Sequence, residues 1–103
     1  MSKEEKEVKK RLKIAASYIK KGNKFKKWAD NEKYEEKAKE YKKRAKNEYE
    51  MAKAKIATTK VAKNMTYGEA EVYDILKKAV EKEKEGDDKA VEKAAKKIIE
   101  AEK

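Results

Sequence analysis

Small residues recur at a seven-residue interval through the first half of this 103-residue chain, and no other feature constrains its fold as strongly. Val8, Ala15, Gly22 and Ala29 form one series; Ala38, Ala45, Ala52 and Thr59 form a second. If the chain folds back near Lys33, the two series pair as 29 with 38, 22 with 45, 15 with 52 and 8 with 59. Heptad positions return to the same helix face, so this constant-sum pairing is what an in-register antiparallel helical hairpin requires.

The flanking residues supply the ends of the helices. Ser2 with Glu5 three residues later is a capping box, so the first helix should start there. Its apolar stripe runs through Val8, Leu12, Ala15, Ile19, Gly22 and Ala29, with Tyr18, Phe25 and Lys26 beside it. Gly22-Asn23 carries the local signals of a helix stop. The stripe nevertheless keeps its phase across the glycine and loses it only after Ala29, so the helix is expected to continue. Gly22 would then let two helix backbones approach closely, at a propensity cost of about 1 kcal/mol relative to Ala. Asp30-Asn31 supplies the turn. The second helix should run from about Glu32 to Lys63 on the stripe Tyr34, Ala38, Tyr41, Ala45, Tyr49, Ala52, Ile56 and Thr59. That register sets Leu12 against Ile56, Ile19 against Tyr49 and Phe25 near Tyr41. From Met51 onward a second apolar face emerges: Ala54, Ala57, Thr58 and Val61.

After a turn at Asn64 to Thr66, a capping box from Thr66 to Glu69 opens a third helix, which Gly86 ends, and Asp87 caps a fourth. The third helix, about 28 Å long, covers only part of a second helix of about 48 Å. The far end of the first hairpin, from Ile19 to Ala45, should therefore protrude as a two-helix arm. The expected fold is all-α with four helices: a long antiparallel hairpin in residues 1–64 and a shorter one in 65–103 packed on part of it, forming a single domain.

Charge is divided unevenly between these halves. Residues 1–64 hold 22 basic and 10 acidic side chains, whereas residues 65–103 hold 9 and 11. Lys9, Lys13, Lys20, Lys24 and Lys27 share a sector of the first helix opposite its apolar stripe. Such a row can neutralise several phosphates without reading sequence, which makes it a candidate polyanion-binding rail. Phe25 and Trp28 would offer stacking faces at the end of the rail. Against this stand 29 Lys to 2 Arg, where bidentate guanidinium recognition of phosphate favours arginine. A lysine row is more commonly a solvated helix face. Phe25, Trp28, Tyr34 and Tyr41 cluster toward the hairpin tip, and an indole outside the seam marks either an end cap or a contact surface for a protein partner or a second copy.

Little in the composition supports catalysis. The chain lacks His, Cys, Pro and Gln, which removes the common general base, the thiolate nucleophile and the usual zinc ligands. No cofactor or metal is expected. The one chemical alternative is Schiff-base formation at a desolvated lysine, for which Lys26 and Lys60 are placed near apolar stripes. The longest uncharged run, Ile14 to Ile19, is far short of the roughly 20 residues of a membrane helix. The N-terminal segment lacks the apolar core of a secretion signal, so a cytoplasmic or recombinant-host location is expected.

The stretch Glu85-Gly-Asp-Asp-Lys-Ala-Val-Glu-Lys-Ala-Ala-Lys-Lys-Ile-Ile-Glu-Ala-Glu-Lys103 resembles de novo designed helical-bundle proteins, as do the Ser-capped start and the missing Pro, Cys, His and Gln. The resemblance implies an idealised, locally consistent helical scaffold and brings no functional residue with it. The middle of the chain departs from that pattern, with few Leu, several Tyr, and Asn, Thr and Met between Thr58 and Tyr67. The expected function is a non-enzymatic designed scaffold or helix-surface protein-binding module, with polyanion binding through the lysine row as the alternative.

Overall fold

Ser2 accepts a hydrogen bond from the Glu5 backbone N–H at 3.1 Å, so the first helix opens on the cap its sequence specifies. In the computed structural model, which describes residues 2–59, 67–83 and 88–102, this helix is continuous. The described residues form α1 (Lys3–Asn31), α2 (Glu35–Ala57), α3 (Glu69–Lys82) and α4 (Lys89–Glu102), with no strand among them. The architecture is a long α1–α2 hairpin with a shorter α3–α4 hairpin packed on part of it. At 29 residues, α1 is about 43 Å long, close to the 49 Å long axis of the molecule.

The seam is buried along its length. Val8, Ala15, Gly22 and Ala29 are all buried on α1, as are Ala45 and Ala52 on α2 and Thr59 just past its end, with Ala38 half-buried. Thr59 tolerates burial because its hydroxyl donates to the Lys55 carbonyl at 2.6 Å. Gly22 has a role other than backbone contact. A Cβ built there would lie 2.6 Å from Cε1 of Tyr49, so the glycine makes room for an aromatic ring. The Tyr49 hydroxyl then donates to Asn23 Oδ1 at 2.6 Å. The pair that reads locally as a helix stop is thus a receptor for one tyrosine.

Three helix boundaries differ from expectation. The turn falls at Glu32 to Tyr34, just after Asp30-Asn31, where Glu32 closes α1 and its carboxylate accepts from the Tyr34 N–H at 3.2 Å. α2 ends at Ala57, short of Lys63. There the Thr58 hydroxyl donates to the carbonyls of Ala54 and Lys55, and Thr59 bonds Lys55, local contacts that compete with helix continuation. α3 is 14 residues long rather than about 19, capped by Gly68 without a side-chain bond and closed by Glu83 in extended conformation. The second apolar face of α2 is also weaker than its sequence suggests: Ala54 and Thr58 are exposed and Ala57 is half-buried. Val61, Thr66, Gly86 and Asp87, cited above for that face and for the caps of the second hairpin, lie outside the described residues, as does the end of the second helix at Lys63.

α1 is the hub, packing against α2, α3 and α4, while α3 also packs on α2 and α4. The core joins Val8 to Ile19 of α1 and Ala52 and Ile56 of α2 to Val72, Leu76, Val91, Ala95 and Ile98 of the second hairpin. Leu12, Ile19, Ile56, Leu76 and Ile98 are fully buried, each stabilising the fold by about 1.5–3 kcal/mol.

Candidate functional site

The second hairpin is fastened to α1 by charge at its rim. Lys13 donates to Glu92 Oε1 at 3.2 Å and lies 3.6 Å from Asp88 Oδ2; Lys9 lies 3.8 Å from Glu92. The hydrogen bond to Glu92 is the main cause that holds the Lys13 ammonium above its ordinary pKa of 10.5, opposed by partial desolvation. Lys20 pairs with Glu83, whose side chain is only 3% exposed. The other oxygen of Glu83 accepts from the Val91 N–H in the first turn of α4 at 3.1 Å. Glu83 therefore ends α3, caps α4 and neutralises a lysine of α1 together.

These contacts change the character of the lysine row. Lys9, Lys13 and Lys20 face carboxylates of the second hairpin, whereas Lys24 and Lys27 lie exposed beyond it. The row is therefore not one free basic face. Lys26 is exposed, which deprives it of the desolvation that a Schiff-base lysine needs, and Lys60 lies outside the described residues.

Past Lys20 on α1 and Tyr49 on α2, an aromatic group closes the hairpin. Phe25 and Trp28 meet edge to face with centroids 5.4 Å apart. Phe25 stacks on Tyr41 at 6.3 Å, and Trp28 meets Tyr41 at 5.9 Å and 62°. The Arg44 guanidinium sits 5.9 Å from the Phe25 centroid. Helical spacing explains the assembly, because Phe25 and Trp28 are three residues apart on α1, and Tyr41 and Arg44 three apart on α2. Trp28 remains 51% exposed despite two ring neighbours. Tyr34 stands apart, 70% exposed at the cap of α2. Three of the four tip aromatics are thus brought together and one is not.

Compared with protein-family models, curated proteins and solved structures, the chain matches none. The geometry alone carries the functional argument. Among the described residues no group of three or more acidic, His or Cys side chains is placed to hold a metal ion, and no helix is long and apolar enough to cross a membrane.

Two features escaped the sequence reading. One is Glu83, whose role depends on α3 ending early. The other is a groove between α3 and α4 with lysines on both sides. Its signal was legible, since Lys78 and Lys82, and Lys89, Lys93 and Lys97, are lysines four residues apart with no alternating acid.

Proposed function

We propose that this is a non-enzymatic helical scaffold whose protein-contact surface is the aromatic end of the α1–α2 hairpin. The half-exposed Trp28, held edge-on by Phe25 and Tyr41 beyond the core, is the observation that supports this reading. A large aromatic fixed by neighbours loses little conformational freedom on binding, which suits it to anchor a contact. The polyanion reading through Lys9, Lys13, Lys20, Lys24 and Lys27 draws less support, because three of the five already face carboxylates.

Trp28 is the only tryptophan, so its emission reports on this surface alone. The test follows emission wavelength and iodide quenching across a wide dilution series, with sedimentation of the same samples. Red-shifted, quenchable emission at low concentration is expected. A blue shift that grows with concentration alongside a dimer identifies a second copy as the partner. Blue-shifted emission that resists quenching at every concentration makes Trp28 an end cap and overturns the proposal.

A further inference from the structure

The second hairpin is nearly neutral as a whole, yet one of its faces carries lysines as its only charged residues. Its acidic Glu92 and Glu83 turn toward α1, and the opposite side of α3–α4 opens as a groove of about 640 Å³. Lys78 and Lys82 line one wall, and Lys93 and Lys97 line the other with Lys89. All are exposed, and the lining contains no carboxylate. Within each wall the lysines are stacked four residues apart, about 6 Å along the helix. Like charges at that spacing destabilise a helix. Three other pairs at the same spacing join opposite charges, Glu7–Arg11, Glu35–Lys39 and Glu40–Arg44. On the α1 face, lysines receive carboxylate partners from the other hairpin. Lys78, Lys82, Lys93 and Lys97 have no such partner among the described residues.

We propose that the outer groove of α3–α4 binds the phosphate backbone of a nucleic-acid strand without regard to sequence. Charge complementarity selects an anion, and the floor decides its kind. That floor is Ile75, Ala79, Ala90 and Ala94, of which Ala79 and Ala94 are each less than a tenth exposed. The floor offers one large apolar side chain, Ile75, whereas an amphipathic helix docks through several apolar anchors. An extended chain of regularly spaced anions needs only the two lysine walls. No aromatic or amide side chain lines the groove to read bases, so the recognition is of backbone charge. This surface is separate from the aromatic tip, and neither proposal depends on the other.

The test measures binding of fluorescein-labelled oligothymidylate by anisotropy. With about four phosphates neutralised, affinity of the intact protein should fall about 50-fold between about 50 and 200 mM salt. Two variants of equal net charge are compared, one with Lys78, Lys82, Lys93 and Lys97→Gln, the other with the exposed Lys33, Lys37, Lys42 and Lys43→Gln on the arm. The groove variant should lose at least about tenfold in affinity and most of the salt slope, and the arm variant less than about threefold. Circular dichroism establishes that both variants fold, and a groove variant carrying Arg at the same four positions should retain binding. Equal losses in the two Gln variants would mean that net charge alone is responsible, and would overturn the proposal. So would absence of binding at low salt, or displacement of the DNA by poly-glutamate at matched charge, which would assign the groove to an acidic protein.

Discussion

Gly22 and Asn23 show how a local stop signal becomes a tertiary contact. Gly22→Ala places a methyl group against the Tyr49 ring, and overpacking of that kind costs about 1–3 kcal/mol. The gain in helix propensity returns about 1 kcal/mol, so melting temperature should fall in a thermal scan. In a Tyr49→Ala background the clash is gone, and the same change should stabilise by about 1 kcal/mol. A rise in melting temperature for Gly22→Ala alone would place the ring elsewhere. Tyr49 also carries a pH dependence. Burial pushes its hydroxyl above the ordinary pKa of 10.0, with Tyr73 and Glu81 adding to the effect, and burial pushes Tyr73 up with Asp74 beside it. Both phenols are neutral below that range, so they leave stability flat there. As pH rises past 10.0 the unfolded chain ionises first, and native stability falls until the folded phenols also ionise. Phenolate absorbance should show two of the six tyrosines titrating late, and Tyr49→Phe with Tyr73→Phe should flatten the alkaline loss in urea unfolding. The phase of the heptads revealed that Gly22 was a contact residue. That the contact was a ring was not legible, because the seam gives level and face but not the reach of a tyrosine along its helix.

At the scale of helices, what the sequence made legible was the continuity and pairing of α1 and α2, while their ends were decided by side chains acting at a distance or against their own helix. Thr58 and Thr59 look like apolar-face residues in the pattern, yet their hydroxyls fold back on Ala54 and Lys55 and close α2. Glu83 looks like one more surface carboxylate of a charged helix. It instead leaves α3, caps Val91 and meets Lys20, because the end of α3, the start of α4 and α1 come together there. Glu83→Ala should therefore destabilise by about 2–3 kcal/mol, losing a cap and leaving a half-exposed lysine without its partner. Glu83→Gln should cost less, since its amide oxygen still accepts from Val91. Chemical denaturation of the two variants ranks them; equal losses would mean that the cap contributes nothing. The candidate aromatics were legible by composition and spacing, and Phe25 with Tyr41 by the hairpin register. Tyr34 was not separable from them, because its position depends on a turn that moved by a few residues.

Over the whole molecule, the first helix serves as a spine shared by two unequal hairpins. Near its N-terminal half it is surrounded, with Leu12 and Ile19 sealed and Lys9, Lys13 and Lys20 tied down; toward Asn31 the contacts of Phe25 and Trp28 with Tyr41 join it to α2. That Glu92 and Glu83 turn toward α1 while the outer groove carries only lysines was beyond a count of residues along the chain. The seam has a last consequence for how such a protein can be altered. A heptad inserted in α1 and another at the matching level of α2 would preserve every pairing below the insertion. The aromatic end would move outward by about 10 Å and rotate by only about 20°. The body and the reach of this molecule are thus independently adjustable, and the distance between its two ends is a quantity written in units of seven residues.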